Sequence, residues 1–125
     1  MQLKQIARDA LLKPLQAVSG IVERRHTLPI LANVLLEHKD ERLYVTATDL
    51  EMQITAHTEL AGKEGEAVTV GARKLQDLLR ALPDDAVLNV EASASKMIVR
   101  AGRSRFNLQT LPAADYPRIG LVDEK

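Results

Sequence analysis

The spacing of apolar and polar residues divides the first half of the chain into one helix among strands. Residues 1–7 alternate as a short strand does, and residues 9–19 place apolar side chains at helical spacing up to a glycine. Because proline lacks a backbone donor, Pro14 predicts a bend in this helix. Residues 28–38 predict a strand that starts at its proline, and residues 42–60 predict two more strands separated by a turn.

The second half repeats this order of elements without repeating the sequence. A strand over residues 66–72 precedes a helix over 72–85, which is expected to stop at Pro83. Three further strands follow at 86–92, 96–101 and 103–111. Both helices place leucines on one face and charged residues on the other. The pattern predicts an α+β fold of two strand-helix-three-strand units, with antiparallel sheets outside and both helices on one side.

The length of 125 residues fits one ordinary domain with an aliphatic core. We expect this domain to cover residues 1–119 and interpret 120–125 as the start of a linker, because the tail from residue 112 has no periodicity. The absence of cysteine excludes a disulfide scaffold and a thiolate zinc site. No apolar run approaches the roughly 20 residues of a membrane span. We therefore expect a soluble cytoplasmic protein without a membrane partner.

The net charge is zero, but the charges are unevenly distributed along the chain. Residues 40–66 contain seven acidic and two basic residues, whereas residues 73–105 contain seven basic and four acidic residues. A neutral total argues against a strongly basic nucleic-acid-binding protein. The division into an acidic and a basic part nevertheless leaves room for a local interaction with an anionic partner.

Few residue patterns suggest catalysis. The common glycine-rich phosphate loops and the G-x-S-x-G nucleophile motif are absent from the sequence. His26, His38 and His57 lack metal-ligand spacing, so we interpret them as solvated or structural. Asp49 and Glu51 form the best carboxylate pair and leave a metal-dependent hydrolase as a remote alternative. The simpler interpretation is a turn-forming aspartate followed by an exposed glutamate. We expect no metal and no cofactor.

The basic residues on the helices have two interpretations. Arg73, Lys74 and Arg80 lie on the outward face of the second helix and Lys13 on that of the first, where they could meet phosphates. Exposed helix faces also carry such charges without any ligand. The arginines of the polar loop at residues 24–26 leave the same choice open.

The last predicted strand combines charge with the only phenylalanine of the chain. Alternation places Arg103 and Arg105 on one face and Phe106 and Leu108 on the other. Because this strand is the last before the tail, we expect it at a sheet edge. Arginines beside a large apolar residue are typical of interfaces, although Phe106 and Leu108 could also belong to the core. A protein-interaction module that uses this edge is therefore an alternative function.

Four segments together resemble a known family. They are "LLKPLQAVSGIVERRHTLPILANVLLE", "TATDLEMQI", "VGARKLQDLLRALP" and "IVRAGRSRFNLQTLPAADYPRI". In this order and spacing they are similar to the N-terminal domain of the bacterial beta sliding clamp, the processivity subunit of DNA polymerase III, over residues 11–119. The resemblance implies one domain of a head-to-tail homodimeric ring, each subunit having three domains of this plan. Helices line the hole of such a ring, and sheets form its outer wall.

The resemblance also implies roles for individual residues. Arg25 and Arg73 match positions at which clamps contact double-stranded DNA without sequence specificity. Arg24 has a less fixed place in the same loop as Arg25, and Lys13 and Arg80 are added only because they face the same way as Arg73. The residues that match this domain's half of the subunit interface are Lys74, Lys96, Arg103, Arg105, Phe106 and Leu108. The polymerase and the clamp loader would bind through domains absent from this chain. The implied protein is an accessory subunit and not an enzyme.

Overall fold

In the residues that the structure describes, the chain forms an antiparallel sheet of eight strands and two α-helices. We analysed a computed structural model, which describes residues 2–20, 29–49, 52–62, 65, 67–93 and 95–117. The elements of the first half are β1 (Gln2–Ala7), α1 (Arg8–Ser19), β2 (Asn33–Lys39), β3 (Arg42–Thr48) and β4 (Gln53–Glu59). Those of the second half are β5 (Val68–Gly71), α2 (Ala72–Arg80), β6 (Val87–Ala92), β7 (Lys96–Ala101) and β8 (Ser104–Pro112). This confirms the predicted order of elements.

The two halves exchange their first strands. The strand order is β1-β6-β7-β8-β5-β2-β3-β4, so β1 pairs with β6 of the second half and β5 pairs with β2 of the first. β8 joins the two parts of the sheet because Thr110–Pro112 pair with β5, while its earlier residues pair with β7. Each unit therefore depends on the other for a strand, and the domain is expected to fold as a whole.

One hydrophobic core lies between the sheet and the helices. α1 contributes Leu11, Leu12, Leu15 and Val18, and α2 contributes Leu75, Leu78 and Leu79. The alternating side chains of the strands supply the opposite side of this core, for example Val34 and Val99. α1 continues through Pro14, whose side chain is buried. Since every helix leucine that faces the sheet is at least partly buried, the predicted apolar faces are confirmed.

Two predicted boundaries are wrong, and proline explains both. Pro29 does not start a strand: residues Pro29–Ala32 form a 3₁₀ turn and β2 begins at Asn33. Proline cannot donate to a strand ladder, and its fixed φ suits a helical turn. α2 ends at Arg80 and does not reach Pro83. Proline disfavours the helical conformation of the residue before it, and a tighter turn, with the Leu82 amide donating to the Leu79 carbonyl at 3.2 Å, ends the helix.

The beginning of the tail, which lacks periodicity in the sequence, belongs to the folded domain. Ala113–Asp115 form a second 3₁₀ turn, and Tyr116 is only 4% exposed. Leu31, Leu35 and Tyr116 are buried but lie outside the main core cluster. Because Leu35 alternates with the core residues Val34 and Leu36, it points to the opposite face of the sheet. Leu35 thus lies on the side of the sheet away from the helices.

Arg8 connects the start of α1 to the loop after α2. Its guanidinium donates to the Leu82 carbonyl at 3.0 Å and contacts the Asp9 and Asp84 carboxylates at 2.8 and 3.2 Å. Its backbone amide donates to the Ala86 carbonyl at 2.9 Å. These bonds fix the two helices to the exchanged pair β1 and β6. In the described part of the chain, no helix is long and apolar enough to cross a membrane.

Candidate nucleic-acid and subunit interfaces

The exposed sides of the helices carry the basic residues assigned to DNA by the resemblance. Lys13 is exposed on α1, and Arg73 and Arg80 are exposed on α2. The apolar spacing of each helix buries its leucines, so these bases are left on the solvent side. Within the described ranges, no salt bridge joins these three bases to an acid. Their charges therefore remain available to an anionic ligand.

The first turn of α2 is unusually basic for its position. Arg73 and Lys74 follow Gly71, the N-cap residue, and no acidic residue and no capping side chain accompany them. The amino end of a helix carries a partial positive charge, so two cations there cost the helix a few tenths of a kcal/mol to about 1 kcal/mol each. The same end favours anions through its free backbone amides. Helix stability alone does not explain this placement.

The predicted DNA contacts do not form one compact pocket among the described residues. Lys13 lines an open groove of about 490 Å³ between α1 and β4, and neither Arg73 nor Arg80 reaches it. Arg24 and Arg25 lie outside the described residues. Their position relative to Arg73 therefore stays a prediction. Separate bases on helix surfaces suit contacts with a polyanion better than binding of a small ligand.

The first part of β8 is open on one side. Residues 104–109 pair with β7, and in the described part of the chain only 110–112 pair with β5. The prediction of a sheet edge is thus right for 104–109 and wrong for the end of the strand. Phe106 and Leu108 lie on the core side of this open part, each partly buried against the main cluster. They remain accessible to a partner that extends the sheet.

The outer face of β8 carries charge that its neighbours do not balance. Arg105 is paired in register with Arg100 of β7, and like charges in such positions repel. The Glu91 carboxylate contacts the Arg100 guanidinium at 2.8 Å and so neutralises only one of the two. Arg103 lies in the turn before the strand and not on the face predicted for it. The arrangement favours an acidic partner for Arg105.

The remaining predicted interface bases lie apart from this pair. Lys96 is exposed at the opposite end of the β7–β8 hairpin, in register with Gln109. Lys74 is exposed on α2. The structure thus spreads the predicted interface along the open part of β8 and onto the neighbouring helix, and it does not gather the bases into one cluster.

Asp49, one of the two carboxylates considered for a hydrolase, forms a turn in the described residues. The Asp49 carboxylate accepts a hydrogen bond from the Met52 amide at 2.8 Å, and the Asp49 amide donates to the Met52 carbonyl at 3.2 Å. These bonds make Asp49 the turn-forming aspartate of the simpler interpretation. Glu51 lies outside the described residues. The described part of the chain has no group of three or more potential metal ligands.

The described histidines have structural or solvated environments. His38 is 3% exposed, and its Nε2 lies 2.8 Å from the Leu60 carbonyl, which connects β2 to the end of β4. Its Nδ1 has no hydrogen-bond partner among the described residues. His57 is exposed beside Tyr44, with ring centroids 5.7 Å apart. His26 lies outside the described residues.

Sequence reasoning missed Arg8, Arg100 and Tyr116. Arg8 is the most buried of the ion-paired arginines, with 12% of its side chain exposed. Arg100 matters because it faces Arg105, and Tyr116 because its hydroxyl lies within hydrogen-bond distance of two strands. The register of β7 and β8 reveals the position of Arg100, but no local sequence pattern marks Arg8 or Tyr116. Burial raises the pKa of Tyr116 to about 12, although its bond with the Thr48 amide acts in the opposite direction.

Comparison with known proteins identifies relatives of the whole described domain. Residues 1–120 match the family of the DNA polymerase III beta subunit, N-terminal domain. The chain is 50% identical over 116 residues to the beta sliding clamp of Pseudomonas putida, covering 91% of this chain and 31% of that protein. It is also 50% identical over 115 residues to the beta sliding clamp of Escherichia coli, with the same two coverages.

Solved structures of similar sequence have the same fold. The DNA polymerase III subunit beta of Pseudomonas aeruginosa matches with a TM-score of 0.90 and 47% identity, over 98% of this chain and 33% of that one. The polymerase sliding clamp of Caulobacter crescentus matches with a TM-score of 0.88 and 42% identity, over 97% and 33%. The chain thus spans about a third of the length of its relatives.

Proposed function

Because the chain belongs to the family of the DNA polymerase III beta subunit, as its N-terminal domain, we propose that it is the first domain of a DNA sliding clamp. The observation that carries this proposal is the similarity of fold and sequence over almost the whole chain to clamp structures. In this proposal residues 1–119 are the first domain and 120–125 begin a linker to two further domains. The complete protein is an accessory subunit of the polymerase and has no catalytic role.

The proposed mechanism is topological. A closed ring holds DNA by encircling it, so its wall needs only weak contacts that permit sliding. Exposed bases without a stacking platform suit such contacts, because phosphates carry no sequence information. We assign the DNA contacts to Arg25 and Arg73, supported by Arg24, Lys13 and Arg80. The unfavourable placement of Arg73 at the amino end of α2 supports its role toward phosphate.

The second proposed surface joins two copies of the complete protein head to tail. Its apolar centre is formed by Phe106 and Leu108 at the open part of β8. Its basic residues are Lys74, Lys96, Arg103 and Arg105. The unbalanced charge at Arg105 supports an acidic partner surface, which a head-to-tail dimer supplies from another part of the protein. The polymerase and the clamp loader bind through the domains that this chain lacks.

DNA binding by this chain tests the helix assignment. With about three or four phosphate contacts, affinity should fall roughly a hundredfold between about 50 and 200 mM salt. Arg73→Ala should weaken binding equally for unrelated duplexes and lower the salt slope by about 0.9. Lys39→Ala, which removes an exposed base from a strand, is the matched control. Sequence-dependent losses, or an equal loss in the control, would refute the assignment of Arg73.

A second candidate is an interaction module that uses the open part of β8 for some other partner. Residues 104–109, which pair with β7 on one side and are open on the other in the described part of the chain, also favour this candidate. The two functions differ in whether the complete protein must form a dimer with a second clamp subunit. A hybrid protein, in which this chain replaces the first third of a beta sliding clamp relative, should form a stable dimer if the clamp proposal is right. An interaction module of different specificity would leave the hybrid monomeric.

A further inference from the structure

The hydroxyl of Tyr116 lies between the backbones of two strands. Its oxygen is 3.1 Å from the Thr48 amide nitrogen at the end of β3 and 3.4 Å from the Thr46 carbonyl. It is also 3.3 Å from the carbonyl of Asn33, the first residue of β2. The ring beneath it is almost fully buried. A side chain from the tail thus reaches the main chain of two strands that are far away in sequence.

The chemistry of the hydroxyl explains this arrangement. A phenol oxygen can accept the Thr48 amide proton while it donates its single proton to one carbonyl at a time. The two carbonyl distances are similar and both long, as expected for a shared proton. A tyrosine hydroxyl is protonated at neutral pH at its ordinary pKa, and burial raises the pKa of Tyr116 further. Phenylalanine would fit the apolar site but would leave the Thr48 amide without this acceptor.

The segment that carries Tyr116 crosses the end of the sheet. It starts at Pro112, in register with Val68 of β5, and turns through Ala113–Asp115, where the Tyr116 amide donates to the Ala113 carbonyl at 3.0 Å. It then reaches β2 and β3, the next strands in the sheet order. The Tyr116 hydroxyl therefore connects the segment after β8 to β2 and β3, which do not pair with β8.

We propose that Tyr116 is a positioning residue, whose hydroxyl fixes the point at which the polypeptide leaves this domain. The inference rests on the proposed function, since the relatives are about three times longer than this chain and would continue from this point. A fixed exit sets the direction of the following domain and so limits the shapes that a ring can adopt. Without the hydroxyl, the aromatic ring can still occupy its buried site, but residue 116 loses the hydrogen bonds that hold it to β2 and β3.

The test uses the 125-residue chain itself, which contains no cysteine. Arg118→Cys introduces one site for a nitroxide label two residues beyond Tyr116. Tyr116→Phe in this background should increase the mobility of the label and accelerate hydrogen exchange of the Thr48 amide on the order of tenfold, the size expected for one lost hydrogen bond in a buried site. Tyr44→Phe, which removes a hydroxyl from the half-buried Tyr44 of β3, should change neither quantity.

The outcomes separate a positioning role from simple stabilisation. A change in label mobility well below the thermal midpoint supports the proposal, because a loss of global stability alone does not loosen a tail in the folded state. Unchanged label mobility in Tyr116→Phe overturns the proposal, as does an equal change in Tyr44→Phe. Neither result depends on DNA. Failure of the hybrid clamp to form a dimer would count against the proposed function without affecting this measurement.

Discussion

The last strands of the two halves, β4 and β8, follow equivalent elements but have very different neighbours. The side chains of β4 are matched by those of β3: Arg42 contacts Glu59 at 3.1 Å, and the Thr46 and Thr55 hydroxyls are 3.0 Å apart. On β8, Arg105 faces another arginine, and Phe106 is only partly covered. Among the described residues, Glu59 of β4 has an opposite charge beside it, whereas Arg105 of β8 has no acidic partner.

This difference separates a structural strand from a proposed interface strand. Both strands are amphipathic, and both have side chains that contribute to the core, so their burial patterns alone do not distinguish them. Cross-strand partners do, because opposite charges or paired hydroxyls stabilise a sheet and like charges weaken it. The simplest explanation for a strand that retains such an unfavourable pair is a function outside its own domain. The following predictions test this comparison.

The largest expected effect is that of Phe106→Ala on dimer formation by the hybrid clamp. A buried aromatic anchor at the centre of an interface contributes about 2–4 kcal/mol, so the dissociation constant should rise roughly 30-fold to 900-fold for each of the two interfaces of the ring. Ile54→Ala is the matched control, because Ile54 is a partly buried residue of β4 that packs against the core. It should lower folding stability and leave dimer formation unchanged. Sedimentation at several concentrations measures both; equal dimerisation of Phe106→Ala and the parent would place Phe106 in the core alone.

An effect of intermediate size is expected from alkaline titration of Tyr116. Its pKa is about 12 in the folded state and 10.0 for an ordinary tyrosine, so the hydroxyl loses its proton more readily in the unfolded state. The folded state is therefore favoured fully below pH 10 and loses about 2 kcal/mol as the pH rises from 10 toward 12. Denaturant unfolding across this range should show this loss in the parent and in Tyr44→Phe. The loss should be absent in Tyr116→Phe, and its persistence there would assign it to other groups.

The smallest expected effect concerns the two cross-strand pairs. Arg105→Ala removes the repulsion from Arg100 and should leave the stability of the isolated domain unchanged or raise it by a few tenths of a kcal/mol. Arg42→Ala removes the exposed contact with Glu59 and should lower stability only slightly. In the hybrid dimer, Arg105→Ala should weaken association, and this loss of affinity should become smaller as the salt concentration rises. A clear loss of domain stability in Arg105→Ala would contradict the distinction between β4 and β8.

Local patterns predicted the elements of this fold because each element satisfies its own periodicity. The leucines of α2 follow the helical period, and the alternation of β8 correctly placed Phe106 and Leu108 on the opposite face from Arg105. The prediction failed where partners are distant in sequence. Nothing local shows that β1 pairs with β6 or that Tyr116 reaches Thr48, because these contacts depend on the packing of the whole chain.

The candidate sites were less predictable from local patterns than the helices and strands were. The resemblance supplied the residue assignments, whereas composition alone left a neutral domain with ordinary exposed bases. Register added Arg100 beside Arg105, which no reading along one strand could reveal. Arg24 and Arg25, outside the described residues, remain predictions. The element boundaries near Pro29 and Pro83 show what a proline in the sequence can predict. It marks an interruption of regular structure, but it does not give the residue at which an element begins or ends.

The retention of the hybrid clamp on DNA tests the central claim most directly. A ring that encircles DNA leaves a linear duplex by sliding off its ends but stays on a closed circle. After loading onto nicked circular DNA, the hybrid should remain bound during gel filtration at salt that abolishes simple phosphate contacts, and it should be lost when the circle is cut. The parent clamp provides the positive control. Equal loss of the hybrid from circular and linear DNA, while the parent is retained on circles, would contradict the assignment of this chain as the first domain of a sliding clamp.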